Sequence, residues 1–245
     1  MVSNAEIKMI RSLHEKKFRQ ENGMFIVEGE KMVEEAVASG FEIVRIVKEE
    51  EIGEEKMKRL SLLNTPSPVL AVVRIPRSEI GAELPDGLCL ALDSVRDPGN
   101  LGTIIRLSDW FGISCIYASH DTVELYNPKV IQATMGAVFR KKVVYCDLPD
   151  LCRRFADSGR RIYGTFLDGK NIYSSELKPD GLVVMGNESN GISAEVASLV
   201  SDRITIPCFA PEGKRPESLN VAIATAVTVS EFCRSISASS SQDKI

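Results

Sequence analysis

The sequence has no C-x-x-C pair, only two histidines, His14 and His120, and no long apolar run. Each absence removes a class of protein. Structural zinc and thioredoxin-like redox sites need paired cysteines or a Cys/His cluster, whereas the six cysteines here are scattered at 89, 115, 146, 152, 208 and 233. Most sit in apolar stretches such as Leu88-Cys89-Leu90 and Ile113-Ser114-Cys115-Ile116, the setting of reduced, buried thiols, and point to a reducing compartment. The longest apolar-rich stretch, Val221 to Val229, is too short and too rich in Ala and Thr to span a bilayer. The start, Met1-Val2-Ser3-Asn4-Ala5-Glu6, has no signal core, so the expectation is a cytoplasmic protein without a membrane or metal partner. Glycine (17) and proline (11) are not in excess, which excludes collagen-like and low-complexity chains. Nor is positive charge: 30 Lys+Arg face 34 Asp+Glu for a net −4, a balance that by itself weighs against nucleic acid.

What is present is 245 residues, 44% hydrophobic and 26% charged, enough for a real core in two unequal globular domains. Ile7, Ile10 and Leu13 fall three apart, predicting one amphipathic helix before Asn22-Gly23. Strands are expected at Met24 to Val27, Phe41 to Val47 and Val69 to Ile75, alternating with helices at Glu30 to Ser39 and about Glu54 to Leu63. Residues 1–80 thus read as a small α/β domain, followed by a Pro- and Gly-rich linker at 81–87 within Pro76 to Gly87. Apolar runs then recur at Leu88 to Leu92, Ile113 to Ala118, Val143 to Tyr145, Arg161 to Phe166, Leu182 to Met185 and Arg203 to Ile206. Near-continuous apolarity and helix-length spacers predict a second α/β domain, 88–236, with a mainly parallel sheet. A final helix is expected from Ser218 to Ser235, and a frayed Ser-rich tail at 237–245.

In an open α/β sheet, ligands gather beyond the carboxyl ends of the strands. Three such junctions stand out. In Leu92-Asp93-Ser94-Val95-Arg96-Asp97-Pro98-Gly99-Asn100, a strand enters a polar loop and then a helix carrying Arg106; the bland reading makes Asn100 a helix cap and Arg106 a solvated residue. In Met185-Gly186-Asn187-Glu188-Ser189-Asn190-Gly191-Ile192-Ser193, the glycine spacing is that of a P-loop, but Ile192 replaces the required lysine. A glycine ending a buried strand lets backbone approach a flat ligand, with the Glu188 carboxylate in the same loop; a plain turn with a solvated glutamate is the alternative. The third runs from Ile204-Thr205-Ile206-Pro207 to Glu217-Ser218-Leu219-Asn220-Val221, where Ser218 reads equally as a helix N-cap and Asn220 as a surface residue.

Taken together and in this order, these three runs resemble the motifs of the SpoU (TrmH) family of SPOUT methyltransferases over residues 88 to 235. Asn127-Pro128-Lys129 through Phe139-Arg140 is similar to the family's segment between its first two motifs. Lys16-Lys17-Phe18-Arg19 and Gly23-Met24-Phe25-Ile26-Val27-Glu28-Gly29 are similar to the RNA substrate-binding domain that often precedes it.

The resemblance implies an α/β fold closed by a trefoil knot, a rare exception to un-knotted topology. It implies transfer of a methyl group from S-adenosylmethionine to a ribose 2′-hydroxyl of structural RNA, ribosomal rather than transfer RNA. Gly186, Ile206 and Leu219 would contact the cofactor; Asn100, Arg106, Glu188, Ser218 and Asn220 would form the polar site, with Glu188 orienting Arg106 or a backbone group. Arg106 fits a phosphate clamp better than a base, because a guanidinium stays protonated. A homodimer with the site completed near the subunit boundary is also implied. The loop Cys208 to Pro216 is longer than the family pattern. A tRNA enzyme or a non-catalytic ribosome-assembly relative are the alternatives; an oxidoreductase is disfavoured by the missing G-x-G-x-x-G.

The charge is uneven. Residues 28 to 55 hold ten acids and three bases, 1 to 23 three acids and five bases, and 140 to 161 three acids and seven bases. An acidic chain can bind RNA where its bases gather, which predicts local basic patches and salt-sensitive binding.

Overall fold

The computed structural model describes residues 2–76, 81, 83–211 and 216–242, with side chains to Arg234. It divides into two compact units, Met1–Ser78 with Glu124–Arg140, and Glu79–Val123 with Lys141–Ile245. The first unit is therefore not contiguous in sequence, unlike the domain boundary expected near residue 80.

In the first unit, α1 (Asn4–Ser12) and α2 (Lys16–Asn22) replace the single expected helix. The break is held by Arg19, 2% exposed, which donates to the Leu13 and His14 carbonyls at 2.9 and 2.8 Å. Its remaining nitrogens fork onto the Glu124 carboxylate at 3.0 and 2.5 Å. A carbonyl pair freed by the turn thus meets a buried cation that a carboxylate neutralises. Arg19, one of the five bases counted in residues 1 to 23, is thus spent on the fold.

Gly23, at φ 61°, ends α2 and turns the chain into β1 (Met24–Glu28). Next come α3 (Glu30–Ala38), β2 (Ile43–Lys48), α4 (Glu49–Ile52), α5 (Glu54–Leu60) and β3 (Val69–Arg74). The sheet is antiparallel in order β1-β3-β2. One core gathers Ile7, Ile10, Leu13, Val47, Met57 and Leu60. The inserted segment packs here through aromatic pairs, Phe25 with Tyr126 at 4.5 Å and Phe41 with Phe139 edge-on at 5.2 Å.

The second unit is a six-stranded, all-parallel sheet in order β6-β5-β4-β8-β7-β9. In chain order, β4 (Leu88–Leu92) leads to α6 (Pro98–Trp110) and β5 (Cys115–Ala118). After α7 (Pro128–Thr134), which belongs to the first unit, come β6 (Val143–Tyr145), α8 (Leu148–Asp157) and β7 (Arg161–Asn171). Then follow β8 (Gly181–Met185), α9 (Ala194–Ala197), β9 (Asp202–Thr205) and α10 (Val221–Gln242). β4 and β8 are fully buried, as strands covered on both faces must be. On one face Cys89, Cys115, Cys146 and Cys152 join Leu151, Phe155 and Val196 from α8 and α9. On the other, α10 packs against α6, and Phe232 meets Tyr163 edge-on at 4.9 Å. The parallel order and the return of α10 onto α6 are consistent with the knotted fold.

Boundaries differ from the sequence reading most at β7 and at the last helix. β7 runs to Asn171 because Thr165 and Lys170 both pair with Ile204, so residues 166–169 bulge out between them. Arg160 donates to the Pro85 and Gly87 carbonyls at 2.7 and 2.5 Å, fastening the end of the linker to the second unit; linker residues 77–80 and 82 lie outside the described residues. The last helix starts at Val221 rather than Ser218 and continues to Gln242, into the expected tail, whose residues 243–245 lie outside the described residues.

Candidate active site

The sheet fixes where the site lies. β4 and β8 are neighbours in register, Leu92 opposite Met185, so the loops that follow leave the sheet at one level. Chain order reverses between these two strands, which opens a crevice at their carboxyl ends. Asp93, 5% exposed, fastens the loops together: its amide donates to the Met185 carbonyl at 2.9 Å, and its Oδ2 accepts from the Ser193 amide at 2.7 Å. Asn187 does the same from the other side. Its Nδ2 donates to the Ser94 carbonyl at 2.7 Å, while its Oδ1 accepts from the amides of Ser189 and Asn190 at 2.9 and 3.1 Å.

Neither residue figured among the sequence candidates. Their signal was local: each is the first polar side chain after a fully apolar strand, or one residue beyond it. A third such residue is Ser94, at φ 61°, whose hydroxyl donates to Asp121 at 2.5 Å. Hydroxyls from Ser94 and Ser119, with Arg96 at 3.3 Å, hold the Asp121 carboxyl down to about 2.

Gly186 is required by geometry. The chain doubles back so tightly that Asn187 and Gly191 exchange backbone hydrogen bonds, both 2.9 Å. A Cβ on Gly186 would stand 2.3 Å from the Gly191 carbonyl carbon and 2.4 Å from the Ile192 nitrogen. This close approach is what the position needs from glycine.

Helix caps decide the roles of two asparagines. α6 is capped by Asp97, whose Oδ1 accepts from the Asn100 amide at 2.8 Å, with Pro98 at the first helical position. Asn100 is therefore not the cap, and its side chain is released. Likewise Asn220, not Ser218, caps α10: its Oδ1 accepts from Ala222 and Ile223 at 3.0 and 3.2 Å. Asn220 Nδ2 then donates to Asn100 Oδ1 at 2.9 Å, and Asn100 Nδ2 donates to Glu188 Oε1 at 2.7 Å. One relay joins all three loops. Glu188 is bonded to Asn100 rather than Arg106, and its Oε2 has no hydrogen bond among the described residues.

Beside the relay is a cavity of about 680 Å³, within the roughly 300–1,000 Å³ span of small-molecule sites. Gly186, Glu188, Ile206, Ser218 and Leu219 all line it, as do Phe166 and Leu167 from the β7 bulge. The bulge is pinned by Arg203, stacked 3.4 Å over the Phe166 ring and paired with Asp168 at 2.6 Å. Pro207, Cys208, Phe209 and Pro216 close another wall, so the long loop borders this cavity; its residues 212–215 lie outside the described residues. Apolar Met185, Ile206 and Leu219 around bent backbone suit a flat heterocycle with polar ends.

Arg106 stands apart. It lies exposed on α6, does not line the cavity, and makes no ion pair or hydrogen bond among the described residues. Six residues from Asn100, it is about 9 Å further along the helix axis. Trp110, one turn on and 85% exposed, shares its face.

Comparison with known proteins adds to this geometry. Residues 87–230 match the SpoU rRNA Methylase family, and residues 4–74 the MRM3-like substrate binding domain. The 23S rRNA (guanosine(2553)-2′-O)-methyltransferase RlmP of Bacillus subtilis is 28% identical, over 92% of this chain and 95% of its own. A TrmH-family structure from Porphyromonas gingivalis is 37% identical with a TM-score of 0.86, covering 96% of this chain and 99% of that one. An AdoMet-bound rRNA methyltransferase from Sinorhizobium meliloti is 30% identical with a TM-score of 0.84, covering 96% of each.

Proposed function

The chain belongs to the SpoU rRNA methylase family, and from that premise we propose that it methylates a ribose 2′-hydroxyl of ribosomal RNA with S-adenosylmethionine. The observation that carries this is the relay Asn220–Asn100–Glu188 at the mouth of a cavity lined by Gly186, Ile206 and Leu219. Ribosomal RNA is favoured over tRNA by the substrate-binding domain match and by the rRNA enzymes among the relatives.

The cavity fits the cofactor. Gly186, Ile206 and Leu219 would hold its adenosine between backbone and apolar side chains. When bound, S-adenosylmethionine supplies an electrophilic sulfonium methyl group. The chain's own residues must then orient a hydroxyl in line and take its proton. Asn100 and Asn220 fix the Glu188 carboxylate in one orientation. Glu188 Oε2 accepts a hydrogen bond from the ribose hydroxyl, which places a proton acceptor at the reacting oxygen. Ser218, on the cavity wall, donates to the substrate or the cofactor's polar end. Arg106 clamps the neighbouring phosphate with its fork of donors.

The protein acts as a homodimer. An Arg106 remote from its own cavity, beside an exposed Trp110, supports a site completed by a second copy, as does Ile223, 54% exposed on α10.

The test is transfer of tritiated methyl from S-adenosylmethionine to ribosomal RNA, followed by nuclease digestion. Label in a 2′-O-methyl nucleoside is expected. Label on a base overturns the ribose assignment, and cofactor binding without transfer to any RNA favours a non-catalytic relative.

A further inference from the structure

The first unit has a groove of about 980 Å³ that the methyl-transfer site does not use. It follows from the strand order. α3 packs over β1 and β3, and leaves the same face of the edge strand β2 uncovered. Side chains alternate along a strand, so Ile46 points away from the core that Val47 enters and lines the groove. Val37, on α3 across the groove, is 55% exposed. Val69 and Ala38 complete an apolar floor.

The rim has one sign. Glu30 and Glu34 stand on α3, Glu49 and Glu50 on α4, and Glu54 begins α5; among the described residues Lys48 is the one base lining the groove. Glu50 pairs with Lys48 at 3.6 Å and Glu54 with Lys58 at 2.8 Å. Glu30, Glu34 and Glu49 make no ion pair among the described residues.

We propose that this groove docks a basic, amphipathic protein segment, apolar side chains on the Val37–Ile46 floor and lysines or arginines against the glutamates. Charge complementarity selects the partner. An RNA backbone would set phosphates against five carboxylates, which excludes RNA from this face and leaves it free while RNA is bound elsewhere. A contiguous apolar patch with a polar rim is the general form of a protein-docking surface. The inference is independent of the methyl-transfer reading.

The probe is a fluorescein-labelled synthetic peptide of leucine and lysine with amphipathic spacing, titrated with the full chain while anisotropy is followed. Saturable binding that weakens with salt is expected, and an all-lysine peptide of equal charge should bind far less. The triple variant E30Q/E34Q/E50Q should weaken binding about tenfold or more, a loss of about 1.4 kcal/mol. Val37→Arg should abolish it, with RNA methylation unchanged in both. The control D150N/D157N/E195Q removes as much negative charge from the second unit. An equal loss with this control reduces the effect to bulk charge and overturns the proposal. So does competition by an RNA oligonucleotide for the peptide, or binding by the all-lysine peptide as tight as by the amphipathic one. Should the triple variant lose its circular dichroism, Val37→Arg alone decides.

Discussion

Asn100 shows how much a neighbour can decide. With Asp97 accepting from the Asn100 amide, helix α6 needs nothing more from Asn100, and its amide is left to bridge Asn220 and Glu188. The bland reading of the sequence makes Asn100 the cap, but Asp97, a residue type that caps equally well, takes that place in the structure. At α10 too the expected cap, Ser218, gives way to Asn220, which reads in the sequence as a surface residue. Residue identity was therefore legible, while the assignment of each oxygen depended on three-dimensional neighbours. Asn100→Ala tests the reading, because it spares the Asp97 cap. Melting temperature should stay close to wild type and cofactor affinity should change little, whereas kcat should fall about a hundredfold as Glu188 loses its fixed orientation. A variant that turns over normally would strip the relay of its role.

At the scale of elements, each strand of the parallel sheet was readable from an apolar run, most plainly β4, β5 and β8, which are buried throughout and leave no polar alternation to confuse them. The break between α1 and α2 was not readable. Its stabilising partner, Glu124, lies 105 residues from Arg19, and no local pattern encodes so distant a pairing. The β7 bulge was hidden for a similar reason, since doubled pairing to Ile204 exists only once β9 is in place. Gly186 belongs at this scale too, because it lets the loop after β8 double back closely on itself. Gly186→Ala should lower stability by about 1–3 kcal/mol through overpacking and raise the Kd for S-adenosylmethionine, measured by denaturation and calorimetry. An unchanged Kd would remove the loop from the cofactor site.

The sheet face covered by α8 makes a second prediction. Burial pushes the thiols of Cys89 and Cys152 up to about 12 and Cys146 to about 11. Cys115 is raised by the same desolvation. An unfolded thiol ionises near about 8.5, so above that pH the unfolded chain sheds protons that the folded chain keeps. Stability is full below this value and drains as pH rises toward the folded values. Urea midpoints should therefore fall steadily between about pH 9 and 12, and replacing Cys89 and Cys152 together with Ala should flatten that slope even though it lowers the midpoint at neutral pH.

At the scale of the whole molecule, the −4 net charge says little by itself. The base-rich stretch 140–161 is divided between the two units, and several of its members are paired: Arg140 with Glu35, Arg153 with Asp150, Arg160 with Asp180 and Arg161 with Asp202. Arg106, by contrast, makes no ion pair among the described residues, which directs attention to what it meets in an assembly. If the site is completed in trans, two defective variants should repair each other. Arg106→Ala keeps an intact cavity, and Ile206→Arg fills the cavity while keeping Arg106. Mixed and allowed to exchange subunits, equal amounts give half mixed dimers, each with one site that combines an intact cavity and an intact arginine. Methyl transfer should rise from near zero to about a quarter of wild type, the binomial expectation for a two-fold assembly. A site that uses its own Arg106 predicts no recovery, because each copy then carries a lesion in its own site. Trp110→Glu, placed on the same exposed face of α6, should prevent the rescue and give a monomer by sedimentation, leaving cofactor binding in place.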